Sequence, residues 1–206
     1  MSLSLLCCVA ICLFQARDNA VLAMIRLFVA VELPESVRER LLSLQGGVPG
    51  ARWSTAGQLH LTLRFIGEVN ENVGHDIDDA LATIRAPSFT LELAGVGEFG
   101  SKNPRALWAG VKSNEALLHL QRKIETALQR IGLAAEQRKY SPHITLARLK
   151  AAPRDKVLQF LTHGALFSAG PFPVRQFVLF SSHQSASGSI YHPERVYRLG
   201  SLQAEG

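Results

Sequence analysis

Cysteine is nearly absent from this chain of 206 residues. Its three copies, Cys7, Cys8 and Cys12, all lie close to the N-terminus. The rest of the chain can therefore build neither a disulfide framework nor a thiolate nucleophile. No Gly-x-Ser-x-Gly elbow occurs, which argues against a serine hydrolase of the usual kind. Ser187-Gly188 and Gly100-Ser101 lack that context. Glycine spacing offers no phosphate loop, and no Gly/Ser linker divides the chain. The apolar run from Ser2 to Phe14 is too short to span a bilayer comfortably. Acidic residues are fewer than basic ones, 17 Asp and Glu against 22 Lys and Arg, and the net charge of +5 mildly favours an anionic partner.

Residues 1–23 form a separate problem. The apolar run resembles the core of an export signal, with Val21-Leu22-Ala23 as a small-residue cleavage site. No Lys or Arg precedes it, however. Met24-Ile25-Arg26-Leu27-Phe28 reads as a strand beginning directly after a methionine. Residues 1–23 are expected to be an over-extended start, outside the fold, and residues 24–206 a single bilobal domain.

What the chain does contain is a repeated triplet. His60-Leu61-Thr62-Leu63 and His143-Ile144-Thr145-Leu146 hold its only two His-x-Thr sequences. With seven His and seven Thr, even one such triplet is improbable by chance. Side chains alternate between faces along a strand, so each motif puts an imidazole and a hydroxyl on one face and two apolar residues on the other. The pair reads as two halves of one site.

Around these motifs the chain alternates between strand and helix patterns. Ile25 to Leu33 reads as a strand, with Leu27, Val29 and Val31 on one face. A helix follows from Pro34 to about Gln45. The first motif strand runs from Leu59 to Ile66 and ends at Gly67. A helix is expected from about Asn72 to Arg85, strands at Ser88 to Val96 and Arg105 to Val111, and a long helix from Asn114 to Ile131. The second motif strand is His143 to Leu149. A helix from Pro153 to about Thr162 and strands at Phe172 to Ser182 and Ile190 to Leu199 complete the chain. Strands and helices do not alternate strictly, and two strand pairs read as hairpins. This predicts an α+β fold with antiparallel sheets. The order after each motif is similar, which suggests two lobes, each giving one His-x-Thr strand to a shared cleft.

Two facing imidazoles can act as base and acid near neutrality, one accepting a proton while the other donates. That suits in-line displacement at phosphorus, with each threonine donating to a non-bridging oxygen. A metal site is the next alternative, but two histidines fall short of three ligands and neither motif strand carries Asp or Glu. His75, His119, His163, His183 and His192 stand outside the repeat and read as surface or structural residues.

These residues, together with the stretch Met24 to Pro34 and Ser141-Pro142 before the second motif, resemble the 2H phosphoesterases. The closest likeness is to the bacterial and archaeal RNA 2′,3′-cyclic phosphodiesterases, also called 2′-5′ RNA ligases. The resemblance covers about Ile25 to Leu199. It implies a bilobal α+β fold, two antiparallel sheets related by a pseudo-twofold axis and flanking a cleft, with helices outside. It implies hydrolysis of a 2′,3′-cyclic phosphate on RNA or a nucleotide to a 2′-phosphomonoester, without metal or other cofactor. His60 would be the proton donor and His143 the proton acceptor, with Thr62 and Thr145 holding the phosphate. It also places an arginine at Arg148 as a phosphate contact, although strict alternation turns Arg148 away from His143. Arg64 has the parity of His60 and is an equal candidate. Phe65 and Tyr140 could stack a base, with core packing the leading expectation for Phe65. The reverse reaction, 2′-5′ ligation, and a non-catalytic RNA- or nucleotide-binding module are the alternatives. A cytoplasmic monomer without membrane contact is expected.

Overall fold

A computed structural model describes residues 24–100, 102–185 and 188–200. The expectation for residues 1–23 lies outside the described residues.

The chain opens on β1 (Met24–Glu32), whose Leu27, Val29 and Val31 join the main core while Phe28 and Ala30 are buried on the opposite face. Both faces are covered, as the apolar run implies. Pro34 stands immediately before α1 (Glu35–Leu42), with Glu35 in its first turn and Arg40 in its last, matching the helix dipole. A short strand, β2 (Ala51–Trp53), was not legible in the sequence. A single 3₁₀ turn leads into β3 (His60–Asn70), the first motif strand.

α2 (Glu71–Ala82) starts at Asn70, whose side chain accepts from the Val73 N–H. β4 (Phe89–Phe99) and β5 (Ala106–Val111) form a hairpin. α3 (Glu115–Arg130) is capped by Asn114 and buries Leu117, Leu120, Ile124 and Leu128. β6 (His143–Leu149) has the expected bounds. After α4 (Arg154–His163) come β7 (Ser168–Val174), β8 (Gln176–Ser185) and β9 (Gly188–Arg198). The single strand expected over Phe172 to Ser182 is therefore two, broken at Arg175, and they belong to different sheets.

The described strands form two sheets, ordered β3-β1-β8-β9 and β2-β6-β5-β4-β7, with every strand pair antiparallel. This is the expected α+β architecture. Each sheet carries one motif strand. The sheets are not, however, the two halves of the sequence. The hairpin β4–β5, which follows the first motif, pairs with the second motif strand. The hairpin β8–β9, which follows the second motif, pairs with β1 beside the first. Exchange of hairpins ties the lobes together, and one continuous core runs beneath both sheets.

Both motif strands contain an extra residue just after the threonine. In β3 the partners run Glu32↔His60, Val31↔Leu61 and Ala30↔Thr62, then jump to Val29↔Arg64 and Phe28↔Phe65. In β6 they run Gly110↔His143, Ala109↔Ile144 and Trp108↔Thr145, then jump to Leu107↔Ala147 and Ala106↔Arg148. Leu63 and Leu146 are the unpaired bulge residues, and both are buried. A bulge advances the side-chain alternation by one residue. A second bulge follows at Ile66, and Gly67, with φ of +93°, sits within β3 rather than ending it.

Leu61 is fully buried directly behind the His60–Thr62 face. Leu61→Ala is expected to lower unfolding stability by about 2–5 kcal/mol, the range for truncating a buried leucine. Urea denaturation checks this; a change within error of zero would show that the backing layer is loosely packed.

Candidate active site

Each motif histidine opens its strand and is held the same way. The His60 Nδ1–H donates to the carbonyl of Gln58 at 2.9 Å, and the His143 Nδ1–H to the carbonyl of Ser141 at 2.7 Å. A carbonyl only accepts, so Nδ1 carries the hydrogen in both rings and Nε2 is left for a ligand. The clamp fixes tautomer and ring orientation at once, and it recurs at the same offset, two residues upstream.

β3 and β6 approach each other without sharing a sheet. Side-chain hydroxyls join the two motifs reciprocally. Tyr140, just before the second motif, donates to the Thr62 carbonyl at 3.0 Å, and Ser54, ahead of the first, donates to the Thr145 carbonyl at 2.9 Å. The Ser54 N–H also donates to the Leu146 carbonyl at 2.8 Å. The threonine backbones are thus fixed, and both threonines are half-buried on the histidine faces.

Aromatic rings line both walls. His60 lies 4.8 Å from Phe28 and 5.2 Å, edge-on, from Tyr191, with Phe180 at 6.5 Å. A pocket of about 180 Å³ opens beside it, lined by Phe28, Glu32, Leu59, His60, Phe180 and Tyr191 among others. His143 meets Phe99 edge-on at 4.7 Å, with Trp108 at 6.4 Å. Gly97 and Gly110 make room for this second wall. A Cβ on Gly97 would enter the Trp108 indole, and one on Gly110 would lie 2.6 Å from the Ala94 carbonyl oxygen. None of these rings was singled out in the sequence. The signal available was that β1 and β8 are apolar on both faces, one more face than the core requires.

Burial drives the His60 pKa down to about 4, and the nearby charge of His143 pushes the same way, against the Gln58 hydrogen bond. The expectation that one imidazole of the pair is protonated near neutrality therefore does not hold for His60 in the unliganded protein. Its ring is neutral at pH 7 because the aromatic shell removes the water that would solvate a cation.

The bulges decide the arginines. Strict alternation gave Arg64 the face of His60, but Leu63 advances the alternation and Arg64 pairs with core-facing Val29. Its side chain is only 10% exposed and lies 2.6 Å from the Glu125 carboxylate on α3, with Glu136 at 3.6 Å. It also donates to the carbonyls of Phe65 and Ala134, each at 2.6 Å. Arg64 is a clamp on the segment leading to the second motif, and its geometry withdraws it as a phosphate contact. Arg148 moves the opposite way. The bulge at Leu146 turns it onto the His143 face, where it is exposed. Arg52 of β2 is its direct cross-strand partner.

Tyr140 is half-buried against the core with its hydroxyl donating to the Thr62 carbonyl, and desolvation raises its phenol pKa beyond the ordinary range. It is structural. Phe65, expected in the core, is 49% exposed because the bulge brings it to the cleft face beside Phe28, at 6.1 Å and nearly parallel. Of the remaining histidines, His183 and His192 pack against one another at 5.4 Å, away from the repeat. Among the described residues no three His, Cys, Asp or Glu side chains gather as a metal site, and no helix is long and apolar enough to cross a membrane.

The profile of the 2′-5′ RNA ligase superfamily matches residues 33–186. The chain is 32% identical over 176 residues to an RNA 2′,3′-cyclic phosphodiesterase from Archaeoglobus fulgidus, covering 84% of this chain and 99% of that one. Among solved structures it resembles one from Thermus thermophilus, with a TM-score of 0.72 and 29% identity over 86% of this chain and all of the other. It also resembles Escherichia coli LigT complexed with 3′-AMP, with a TM-score of 0.70 and 27% identity over 86% of this chain and 99% of that one.

The depressed His60 pKa has a stability signature. The folded value of about 4 lies below the unfolded value of 6.5, so the unfolded chain binds the extra proton first. Stability conferred by neutral His60 is complete above pH 6.5, falls as pH drops toward 4 and levels off below. His60→Gln should flatten that part of the stability–pH curve, and NMR titration of the free wild-type ring should give a midpoint near 4. A midpoint near 6.5 would show that His60 is solvated.

Proposed function

The chain belongs to the 2′-5′ RNA ligase superfamily, and on that premise we propose that it hydrolyses 2′,3′-cyclic phosphate ends of RNA or nucleotides to 2′-phosphomonoesters. The observation that carries this reading is the duplicated imidazole clamp. Two histidines on two facing strands, each with Nδ1 tied to the main chain, leave two Nε2 atoms for one phosphate. The name of the Archaeoglobus fulgidus relative and the 3′-AMP held by LigT support the substrate class.

In this mechanism the cyclic phosphate rests between the motifs, with the Thr62 and Thr145 hydroxyls and the Arg148 guanidinium on its non-bridging oxygens. His143 accepts a proton from water through Nε2 as the water attacks phosphorus. His60 donates through Nε2 to the departing 3′-oxygen on the opposite side. The donor must be protonated, which the free protein disfavours. The bound phosphate monoanion supplies the missing counter-charge beside His60 and raises its pKa, so the proton is held once substrate is in place. Hydroxyls and a guanidinium aimed at the phosphoryl oxygens stabilise the charge that builds there. Neither proton transfer is routed through a metal, and activity should survive EDTA. Both histidines come from one chain, so a monomer is sufficient, and action in the cytoplasm is the matching expectation.

His60→Ala and His143→Ala should each reduce kcat on 2′,3′-cyclic AMP by about 10²–10⁴-fold, the usual worth of one proton transfer. Circular dichroism should show both variants folded. ³¹P NMR of the wild-type reaction should show 2′-AMP alone; near wild-type turnover in either variant, or dominant 3′-AMP, would sink the assignment.

The rise in the His60 pKa on substrate binding, with the proton taken from solvent, also separates two pH profiles. The fall in kcat at high pH should lie above the corresponding fall in kcat/KM, because kcat reports the complex and kcat/KM the free enzyme. Coincident limbs would exclude a donor charged by its substrate.

A further inference from the structure

The two walls are alike in the motif and differ five residues beyond each histidine. There one wall carries Phe65 and the other Arg148, both brought to the cleft face by their bulges. A near-symmetric cleft cannot by itself choose which way round a ribose lies, and this pair breaks the symmetry. Arg26 extends the first wall. It shares the cleft face of β1 with Phe28, and its guanidinium carbon lies 5.6 Å from the Phe65 ring centroid. It makes no ion pair with any described residue, although Glu68 stands opposite it in the strand pairing, and its buried Nε–H has no hydrogen-bond partner. From the site outward the wall thus presents His60, Thr62, Phe65 and Arg26.

We infer that Phe65 and Arg26 form a nucleoside subsite, in which the base stacks on Phe65 and the phosphate on the 5′-oxygen pairs with Arg26. The inference rests on the proposed reading of the cleft and names the part of the substrate that this wall holds. The order fits the chemistry of a terminal nucleotide. Phosphate on the 2′,3′-edge of the ribose sits at Thr62, the base reaches the next exposed ring, and the 5′-oxygen points further out, where the RNA chain continues. Phe65 reaches His60 through a single intervening ring, Phe28. A half-exposed phenyl on a rigid strand, with Arg26 over one of its faces, is a stacking surface for any base, and a guanidinium with no ion pair to any described residue suits a phosphodiester. Arg148, at the matching place on the other wall, offers charge and no ring. The nucleoside is therefore drawn to the His60 wall, which sets the 3′-oxygen beside His60.

Binding tests this without turnover, so failure here is distinguishable from failure of the catalytic reading. Isothermal titration calorimetry would compare adenosine 2′-monophosphate with adenosine 2′,5′-bisphosphate. Wild type should bind the bisphosphate more tightly. Phe65→Ala should weaken both ligands by about 5- to 150-fold, and Phe65→Trp should restore them. Arg26→Gln should remove the advantage of the bisphosphate. Wild-type affinity in Phe65→Ala, or a preserved bisphosphate advantage in Arg26→Gln, would overturn the subsite.

Discussion

One inserted residue in each motif strand governs this cleft. A β-strand turns its side chains alternately, and a bulge shifts that alternation by leaving one residue out of the ladder. Leu63 and Leu146 make the shift immediately after the threonines. Upstream of the bulge each strand presents His and Thr; downstream it presents the residue at odd offset. Hence Phe65 and Arg148 flank the site, while Arg64 and Ala147 are turned inward. Without the bulges Arg64 would point a charge into the cleft and Arg148 would face the core, where an unpaired guanidinium is costly.

The remaining architecture holds the two strands at fixed separation. Hairpins exchanged between the sheets make each wall depend on both halves of the chain. The Tyr140 and Ser54 hydroxyls pin each threonine carbonyl to the segment leading into the other motif. Arg64, through Glu125 and Glu136, anchors the stretch that delivers His143. Two groups that must meet one ligand from opposite sides tolerate little displacement, and this cross-bracing limits it without adding groups to the histidine-bearing surface.

The aromatic shell sets the electrostatics. Phe28, Phe180 and Tyr191 desolvate His60 and hold its pKa at about 4. An empty cleft therefore keeps this ring uncharged. On the proposed reading, phosphate affinity and protonation of His60 are coupled, because each supplies the charge that the other lacks.

The two motifs, the antiparallel α+β character and most element positions were legible in the sequence alone. Each of these follows from local periodicity, capping and the short-range alternation of His60 with Thr62 and His143 with Thr145. The sequence also pointed to Arg148 as a phosphate contact, on family resemblance and against its own parity. What it could not determine was the outcome beyond the threonines. A bulge is a relation between two strands, visible only when a partner residue is missing, and no residue in Leu63-Arg64 or Leu146-Ala147 announces it. The orientations of Arg64, Phe65 and Arg148 were therefore decided by pairing with β1 and β5. The division of Phe172 to Ser182 between two sheets, the exchange of hairpins and the ring of aromatics around His60 were decided in the same way. They arise from contacts between segments far apart in the chain, which local propensity does not encode.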